Sequence, residues 1–461
     1  MQFLRTGDNF KANTIKDGSC HVKRILLVAV VLLAGCGPSL KPVADVTVES
    51  SGVEITASNL TAAADSDWAS WRGPSGNGIA PDQLIPTTWS EDDHVIWQAK
   101  VPGRGHASPI VSGNQVFLAT ADKTKQQQSI VAFSRADGKL RWQTTVSKGG
   151  FPRSSQMHGK STHANGTLAC DGSQLYAAFL GHDEVTAVAL DLSGNQIWKQ
   201  VICTFNSKFG YAPSPSLYKS TVIFAADNRG GGCIAALDRK SGKIAWRKSR
   251  PAVATYSSPI VAMVAGRDQL LMSGCNAVTS CDPNTGNEIW SCRGVAEATC
   301  GTVVWDDRHV FASGGYPESE TICVSADGSS RKIWSNSTRV YEPSMVVYEG
   351  HLYAVTDKGI AHCFDTATGD QKWKTRLGGS FSATPVICNG LIYVSNDRGK
   401  TYVFRASPNA FVLVSENQLG SDAYASPAIS EGQIFLRVGT DAPNGRQEML
   451  YCIGELTADA Q

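Results

Sequence analysis

The stretch that decides the fold of this chain is ALDRKSGKIAW, residues 236–246. It ends an apolar run with a small residue and an acid, Ala236 and Asp238, then reverses through Gly242 and reaches Trp246. Glycine gives the backbone the conformational freedom that a tight reversal needs. Looser copies recur along most of the chain, and regular repetition of this kind is typical of solenoids and propellers.

Eight copies share a small residue in the position of Ala236, at the end of an apolar run. In chain order these residues are Ala132, Ala189, Ala236, Ser280, Cys323, Cys363, Val403 and Cys452. A glycine-containing turn and a tryptophan follow in six copies, at Trp142, Trp198, Trp246, Trp290, Trp334 and Trp373. The seventh copy replaces the tryptophan stretch with AFVLVSENQLG, and the eighth has no closing strand.

Two further short strands precede each copy, in runs such as ASPIVSGNQVFLA that are rich in Val, Ile and Phe and are broken by a turn. Each repeat therefore has four strands in a period of roughly 40–50 residues, the size of a propeller blade. The segment HVIWQAKV, residues 94–101, has the pattern of a closing strand, with Trp97 in the tryptophan position. The sequence thus predicts an all-β, eight-bladed propeller of four-stranded antiparallel blades, closed by this N-terminal strand on the last blade. Seven blades and a separate strand is the alternative.

The repeated tryptophans are predicted to dock one blade against the next. A tryptophan on an outermost strand can cover the small residue and the turn glycine of the adjacent repeat, and burial of an indole contributes on the order of 2–3 kcal/mol. Its N–H needs a partner, which a turn carbonyl provides. A ligand site does not need near-identical copies around a ring. The residues assigned this structural role are Trp97, Trp142, Trp198, Trp246, Trp290, Trp334 and Trp373.

The pattern A-x-D-x-x-T-G-x-x-x-W, seen here as ALDRKSGKIAW and SCDPNTGNEIW, resembles the tryptophan-docking motif of pyrroloquinoline quinone (PQQ) repeat propellers. This family includes the quinoprotein alcohol dehydrogenases and the non-enzymatic outer-membrane assembly factor BamB. The segment DWASWRGPSGNG is also similar to the opening of secreted bacterial PQQ-like repeat proteins. The resemblance implies the fold more strongly than a function, since one fold hosts many functions.

The resemblance also implies what a quinoprotein enzyme would carry: a vicinal Cys-Cys disulfide, calcium ligands on channel-facing loops and long insertions between blades. This sequence contains no Cys-Cys pair, and we find no residue set that supplies the stacked pocket and the cation that the quinone needs. We therefore assign no catalytic, cofactor-binding or metal-binding residue. The alternative to a protein without a cofactor is one that binds PQQ with calcium.

The start of the chain has the pattern of a lipoprotein signal peptide. Lys23 and Arg24 precede an apolar run that is too short to span a bilayer. The tetrapeptide LAGC, residues 33–36, resembles the lipobox of bacterial lipoproteins, which makes Cys36 the lipidated residue. Because the segment before Val22 is polar, we expect translation to start at Val22. The predicted organisation is a signal peptide (1–35), a lipidated cysteine with a flexible tether (36–67), the propeller (68–455) and a C-terminal tail (456–461).

An aromatic residue or a histidine stands shortly before the innermost strand of most repeats. Since innermost strands line the axis of a propeller, these side chains are predicted to surround one mouth of the channel, as a site for a ligand or a partner. They are His106, His163, Tyr211, Tyr256, Tyr341, Phe381 and Tyr424. Packing under neighbouring loops is the alternative. The longest insertion, between the first two blades, carries Lys160 and is predicted to be a solvated, partner-facing loop.

The composition excludes one class of partner. A formal net charge of +1 and 18% charged residues provide no basic stripe, so nucleic-acid binding is not expected. The predicted function is a non-catalytic, membrane-anchored scaffold in the cell envelope, attached to the outer membrane on its periplasmic side and in contact with periplasmic or outer-membrane proteins. The alternatives are a quinoprotein-type oxidoreductase and a carbohydrate-binding propeller.

Overall fold

The computed structural model describes residues 47–57, 62–443 and 445–455. The predicted signal peptide, the predicted lipidation site Cys36 and the predicted tail lie outside these residues. Within them, no helix is long and apolar enough to cross a membrane. The described chain forms 33 strands and one 3-10 turn, η1 (Ser154–Gln156), and the strands assemble into eight antiparallel sheets.

Two strands precede the first complete blade: β1 (Val48–Ser50) and β2 (Val95–Val101). Blade 1 consists of β3 (Ile110–Ser112), β4 (Gln115–Asp122), β5 (Gln127–Ser134) and β6 (Leu140–Lys148). Blade 2 consists of β7 (Ala169–Cys170), β8 (Gln174–Gly181), β9 (Glu184–Asp191) and β10 (Gln196–Thr204). Blade 3 contains β11 (Ser216–Tyr218), β12 (Thr221–Ala225), β13 (Gly232–Asp238) and β14 (Ile244–Arg250). Blade 4 contains β15 (Ile260–Val264), β16 (Arg267–Gly274), β17 (Ala277–Cys281) and β18 (Glu288–Arg293).

The remaining blades repeat this order from the axis outward. Blade 5 is β19 (Val304–Trp305), β20 (His309–Gly314), β21 (Glu320–Ser325) and β22 (Lys332–Asn336). Blade 6 is β23 (Val346–Tyr348), β24 (His351–Val355), β25 (Ile360–Asp365) and β26 (Gln371–Arg376). Blade 7 is β27 (Val386–Cys388), β28 (Leu391–Ser395), β29 (Lys400–Arg405) and β30 (Leu413–Gln418). Blade 8 is β31 (Ala428–Ser430), β32 (Gln433–Ala442), β33 (Gly445–Ile453) and β2.

The ring closes at a seam between the two ends of the propeller. Strand β2 pairs antiparallel with β33, with Trp97 opposite Cys452 and Val101 opposite Glu448. The predicted eight-bladed ring with an N-terminal closing strand is therefore confirmed. Closure removes the exposed sheet edges that a linear array of blades would leave at its ends.

The strands differ in burial because blades pack face to face. The middle strands are buried on both faces and are apolar nearly throughout, as in the sequence VFLATA of β4. The outermost strands alternate between buried and exposed residues, as in LRWQTTVSK of β6, because one face is solvated. Hydrophobic clusters accordingly form between adjacent blades, for example between Val188 of blade 2 and Ile130 of blade 1.

The outer-strand tryptophans lie flat on the turn of the following blade. Trp198 Nε1 donates to the carbonyl oxygen of Arg239 (2.7 Å), and a Cβ atom on Gly242 would lie 2.6 Å from the indole ring. Bonds to a carbonyl of the following blade are also made by Trp97, Trp142, Trp246, Trp334 and Trp373. Trp290 instead donates to Gln269 Oε1 (2.7 Å), whose Nε2 donates to the Ala326 carbonyl of blade 5 (2.8 Å).

Blade 7 has Ser415 where the other outer strands have tryptophan, and an N-terminal residue fills the gap. Trp89 is buried and stacks on Tyr393 with ring centroids 6.4 Å apart. Its backbone N–H donates to Asn417 Oδ1 (2.9 Å), and the Ser415 hydroxyl donates to the Thr87 carbonyl. The segment before β2 thus supplies the missing indole to the junction of blades 7 and 8.

Two N-terminal segments add to the ring. Strand β1 pairs with β14 and makes blade 3 five-stranded, with Ser50 opposite Trp246. Residues 62–90 are here called the strap. The strap bonds to innermost strands, on the side of the ring where the first and second strands of each blade are joined. The Val111 N–H donates to the Trp68 carbonyl (2.9 Å), and the Ile387 N–H donates to the Gly78 carbonyl (2.8 Å). The described parts of residues 36–67 are therefore attached to the propeller, which differs from the predicted flexible tether, because their backbone groups find partners on exposed strands.

Candidate functional site: the axial chamber

A single ring of hydroxyl side chains surrounds the axis of the propeller. Each blade contributes one Ser or Thr, two residues before its innermost strand, and every one of them is buried. This set, here called the belt, is Ser108, Thr167, Ser214, Ser258, Thr302, Ser344, Thr384 and Ser426. The innermost segments of all eight blades therefore present the same chemistry to a central chamber of about 530 Å³.

Hydrogen bonds connect the belt from blade to blade. The Ser108 N–H donates to Thr167 Oγ1 (3.0 Å), and the Ser426 N–H donates to Ser108 Oγ (2.9 Å), which joins blade 8 to blade 1. Equivalent bonds of 2.8–2.9 Å are donated by the backbone N–H groups of Thr167, Ser214, Thr302, Ser344 and Thr384. The belt thus fixes the blades at the axis, as the tryptophans fix them at the periphery.

The strap contributes one side chain to the chamber lining. Trp71 lines the chamber, and its Nε1 donates to the hydroxyl of Thr302 (3.1 Å), the one belt oxygen that receives no backbone N–H. Next to it, buried Arg72 donates through Nη2 to the Met345 carbonyl of blade 6 (2.8 Å). These bonds hold the indole beside the belt at the end where the strap crosses.

A second ring of side chains lies above the belt. Its members stand two residues before each belt residue, so that in extended backbone they project from the same side of the chain. This set, here called the upper ring, is His106, Asn165, Ala212, Tyr256, Cys300, Glu342, Ser382 and Tyr424, and all of them line the chamber. In contrast to the belt, the upper ring is chemically mixed, which makes it the part of the chamber that can distinguish ligands.

Four of the seven side chains predicted at the mouth line the chamber: His106, Tyr256, Tyr341 and Tyr424. His106 stacks on Tyr424 across the seam with ring centroids 4.3 Å apart. Tyr341 lies one residue before the upper ring and is covered by the guanidinium of Arg339, 5.1 Å from its ring centroid.

The other three predicted residues do not line the chamber. Phe381 is fully buried against Tyr402, and the buried Tyr211 donates its hydroxyl to the Ala225 carbonyl (3.0 Å). His163 stacks on Phe151 at 4.0 Å. Tyr211 and Phe381 stand one residue before the upper ring, and in extended chain a shift of one residue turns a side chain to the opposite side. Tyr341 stands in the same position and nevertheless lines the chamber.

The insertion between blades 1 and 2, residues 149–168, here called the mouth loop, crosses part of the chamber opening. Lys160 Nζ bonds to Glu342 of blade 6 (3.0 Å) and to Asp397 of blade 7 (2.9 Å). The Ser382 hydroxyl donates to Glu342 Oε2 (2.6 Å). The loop is therefore tied across the ring by Lys160, because two carboxylates on distant blades attract its ammonium group. Residues 153–155 and 158–159 are exposed, as expected of a solvated loop.

Further aromatic groups complete the rim of the opening. Phe209 packs edge-on against His158 of the mouth loop (5.5 Å), and Lys208 Nζ lies 4.8 Å from the Phe209 ring and 5.3 Å from the Tyr316 ring. Phe209 and Tyr316 are 36% and 51% exposed. The rim thus carries apolar side chains that the sequence pattern did not single out.

The titratable groups of the chamber are held in unreactive forms. Burial raises the pKa of the Cys300 thiol to about 12, so it remains protonated and weakly nucleophilic at neutral pH. Burial and the Arg437 guanidinium hold the pKa of His106 well below its ordinary value, so its ring is neutral. Burial disfavours the charged form of Lys160, but Asp397 and Glu342 outweigh it and raise its pKa.

The donor set of the chamber does not fit a calcium-bound quinone. Glu342 is the one carboxylate among its described lining residues, and it is paired with Lys160. The one amide, Asn165, donates to the Tyr211 carbonyl (3.0 Å) and accepts from Thr162. No three His, Cys, Asp or Glu side chains in the described ranges are grouped as metal ligands.

The belt, the strap indole and the rim residues were not predicted. A signal for the belt is present in the sequence, since a Ser or Thr stands two residues before the innermost strand in every repeat. Trp71 carries no comparable signal, because its position depends on hydrogen bonds of the strap to six different blades.

A family profile described as outer membrane protein assembly factor BamB matches residues 86–208, 126–375 and 331–411 of this chain. No curated protein matches the sequence significantly. The matched stretches together extend over most of the ring, from the end of the strap to the outer part of blade 7.

Solved structures share the fold at low sequence identity. BamB from Moraxella catarrhalis is 14% identical with a TM-score of 0.56, over 77% of this chain and 96% of that chain. Quinohemoprotein alcohol dehydrogenase from Comamonas testosteroni is 11% identical with a TM-score of 0.61, over 86% and 82%. The computationally designed Ika8 protein is 10% identical with a TM-score of 0.53, over 78% and 99%. An assembly factor, an alcohol dehydrogenase and a designed protein therefore share this architecture, so these likenesses show the fold alone.

Proposed function

Since the chain belongs to the family of outer membrane protein assembly factor BamB, we propose that it is a non-catalytic scaffold for protein–protein contacts in the cell envelope. The observation that carries the proposal is the family match, which extends over more than half of the chain. The proposed finer role is assistance in outer-membrane protein assembly, through partners in the periplasm or in the outer membrane.

The proposal includes a lipid anchor. The sequence LAGC at residues 33–36 supports cleavage of a signal peptide (1–35) and lipidation of Cys36. The anchored protein would lie at the outer membrane and face the periplasm. Acyl chains on a single cysteine give stable attachment when more than one chain is present.

The state of the chamber supports a non-catalytic role. A nucleophile needs a lowered pKa or an adjacent base, and the Cys300 thiol has a raised pKa. The neutral His106 stacks on Tyr424, a phenol, and its Nε2 has no hydrogen-bond partner within the described chain. Glu342, the carboxylate of the upper ring, is paired with Lys160, which also pairs with Asp397.

The test compares the full-length protein with its Cys36→Ser variant. The wild type should sediment with outer membranes and yield an N-terminal peptide with a diacylglyceryl group on Cys36, while the variant should be released. Cross-linking in intact membranes should join the wild-type propeller to outer-membrane assembly components. Dehydrogenase turnover after addition of PQQ and Ca²⁺, or cross-links confined to abundant unrelated envelope proteins, would contradict the scaffold role.

A further inference from the structure

The belt has hydrogen-bonding capacity that the protein does not use. Each of its eight oxygens accepts a hydrogen bond, seven from backbone N–H groups and one from Trp71. A hydroxyl is also a donor. None of the eight hydroxyl hydrogens has an acceptor among the residues that the structure describes. The belt therefore presents a ring of free O–H donors to whatever enters the chamber.

Two polar atoms of the upper ring also lack partners. Tyr256 is only 8% exposed, and neither its hydroxyl nor His106 Nε2 forms a hydrogen bond within the described chain. A buried polar group without a partner destabilises the folded protein, so such groups are uncommon in native structures outside functional sites. Both atoms belong to residues that line the chamber, Tyr256 in blade 4 and His106 in blade 1, where the His106 ring stacks on Tyr424.

The belt carries no charge of its own. Lys160 is paired with Glu342 and Asp397. The ammonium of Lys208, which makes no ion pair among the described residues, lies over the rings of Phe209 and Tyr316 at the rim. A charged ligand that reached the belt would lose its hydration without an opposite charge beside it, which is unfavourable in an enclosed site.

From these features we propose that the chamber binds a small uncharged sugar, a mono- or disaccharide. A sugar ring has apolar C–H faces that can lie against Trp71, Tyr256 and Tyr424, and its oxygens can accept from the belt hydroxyls. The mixed side chains of the upper ring, which include an amide and a carboxylate, can distinguish one arrangement of sugar hydroxyls from another. A volume of about 530 Å³ lies within the range of small-molecule sites. The inference does not depend on the proposed scaffold role.

The experiment measures binding of glucose, N-acetylglucosamine, maltose and N,N′-diacetylchitobiose to the intact propeller, by calorimetry and by ligand-observed NMR. At least one sugar should bind saturably with one site per chain. Tyr256→Phe should weaken that binding about five- to tenfold, because one hydrogen bond is lost. Its melting temperature should equal or exceed that of the wild type, because the deleted hydroxyl has no partner in the protein.

Two further variants complete the test. Tyr424→Ala should weaken sugar binding about threefold or more through loss of a stacking face. Tyr348→Phe removes a hydroxyl from blade 6 outside the chamber and should leave the affinity unchanged. The proposal is overturned if none of the four sugars binds, if Tyr256→Phe and Tyr424→Ala bind as tightly as the wild type, or if succinate or phthalate binds in place of the sugars.

Discussion

A turn glycine leaves room for the indole ring of five inter-blade tryptophans: Trp97, Trp142, Trp198, Trp246 and Trp334. Gly286 has a φ of 75°, and a Cβ atom there would lie 2.7 Å from the ring of Trp246. The same arrangement recurs at the seam, where a Cβ on Gly138 would lie 2.5 Å from Trp97. The glycines of ALDRKSGKIAW and its copies therefore serve both the turn and the contact.

We predict that Gly286→Ala destabilises the propeller more than Gly266→Ala. Both glycines have positive φ, so each substitution incurs a backbone cost of about 1–2 kcal/mol. At Gly266 no atom lies within 4 Å of the added Cβ, whereas at Gly286 the indole must move, which adds about 1–3 kcal/mol. Urea unfolding measures the free energy of unfolding of both variants. Equal losses in Gly286→Ala and Gly266→Ala would contradict a tight contact between Gly286 and the indole ring of Trp246.

We also predict that the protein loses stability on mild acidification. Burial, with a contribution from Lys123, lowers the pKa of His163 to about 4, so the folded state keeps a neutral ring where the unfolded state binds a proton. The free energy of unfolding should therefore fall as the pH drops below about 6.5, by less than about 1.4 kcal/mol per pH unit because the ring is only partly buried. His163→Phe, which retains a ring against Phe151, should flatten the profile between pH 7 and pH 5. If the free energy of unfolding, measured with urea, fell with pH as steeply in this variant as in the wild type, the loss of stability would be due to other titratable groups.

Among single residues, the docking tryptophans could be predicted from the sequence, whereas the mouth residues could be predicted only in part. The tryptophan series was predictable because indoles and turn glycines are distinctive and recur at one spacing. The mouth residues were predicted only in part because aromatic type was followed rather than distance from the belt. Tyr256 and Tyr424, two residues before a belt residue, line the chamber, whereas Tyr211 and Phe381, three residues before one, are buried away from it. Tyr341 shares the position of Tyr211 and still lines the chamber. The Ser or Thr of the belt, which recurs in every repeat, indicates the register for the other positions.

At the scale of elements, the chamber is closed by two segments that are not part of the blades. The strap lies across one end and contributes Trp71, and the mouth loop crosses the other end and contributes Lys160. Neither segment has the repeat pattern, and their positions depend on single contacts with distant blades. Sequence analysis therefore predicted the blades but not what covers the axis.

We predict that Lys160→Met loosens the mouth loop. The ion pairs with Glu342 and Asp397 are partly exposed, so their loss should cost no more than about 1 kcal/mol of overall stability. Hydrogen exchange of amides in residues 153–161 should nevertheless accelerate severalfold. Lys332→Met is a matched control, since Lys332 is equally exposed (34% against 35%) and pairs with Glu320 away from the mouth. Equal exchange in the two variants would mean that the loop is held by other contacts.

At the scale of the whole molecule, stability depends on the seam. Strand β2 is separated from β33 by most of the chain, yet the two pair over the length of β2. The belt bond from Ser426 to Ser108 and the stacked pair of His106 and Tyr424 cross the same junction. Closure was predictable because the eighth repeat lacks its outer strand and an unpaired copy of that strand lies upstream.

We predict that Ala99→Pro, in the middle of β2, destabilises the protein more than Thr375→Pro, in the equivalent part of β26. Proline removes a backbone donor in both outer strands. In blade 6 the damage remains local, because the sequence connects the strand to its neighbours on both sides. At the seam it separates blade 8 from blade 1. Thermal melts should show the larger loss for Ala99→Pro, and a larger loss for Thr375→Pro would mean that the ring does not depend on its closing strand.

The two ends of the axis differ in chemistry. At the strap end, the chamber is lined by the indole of Trp71, which is bonded to Thr302. At the rim stand the ammonium of Lys208 and the exposed rings of Phe209 and Tyr316. A protein seated over that rim would contact these side chains and cover the opening that they border.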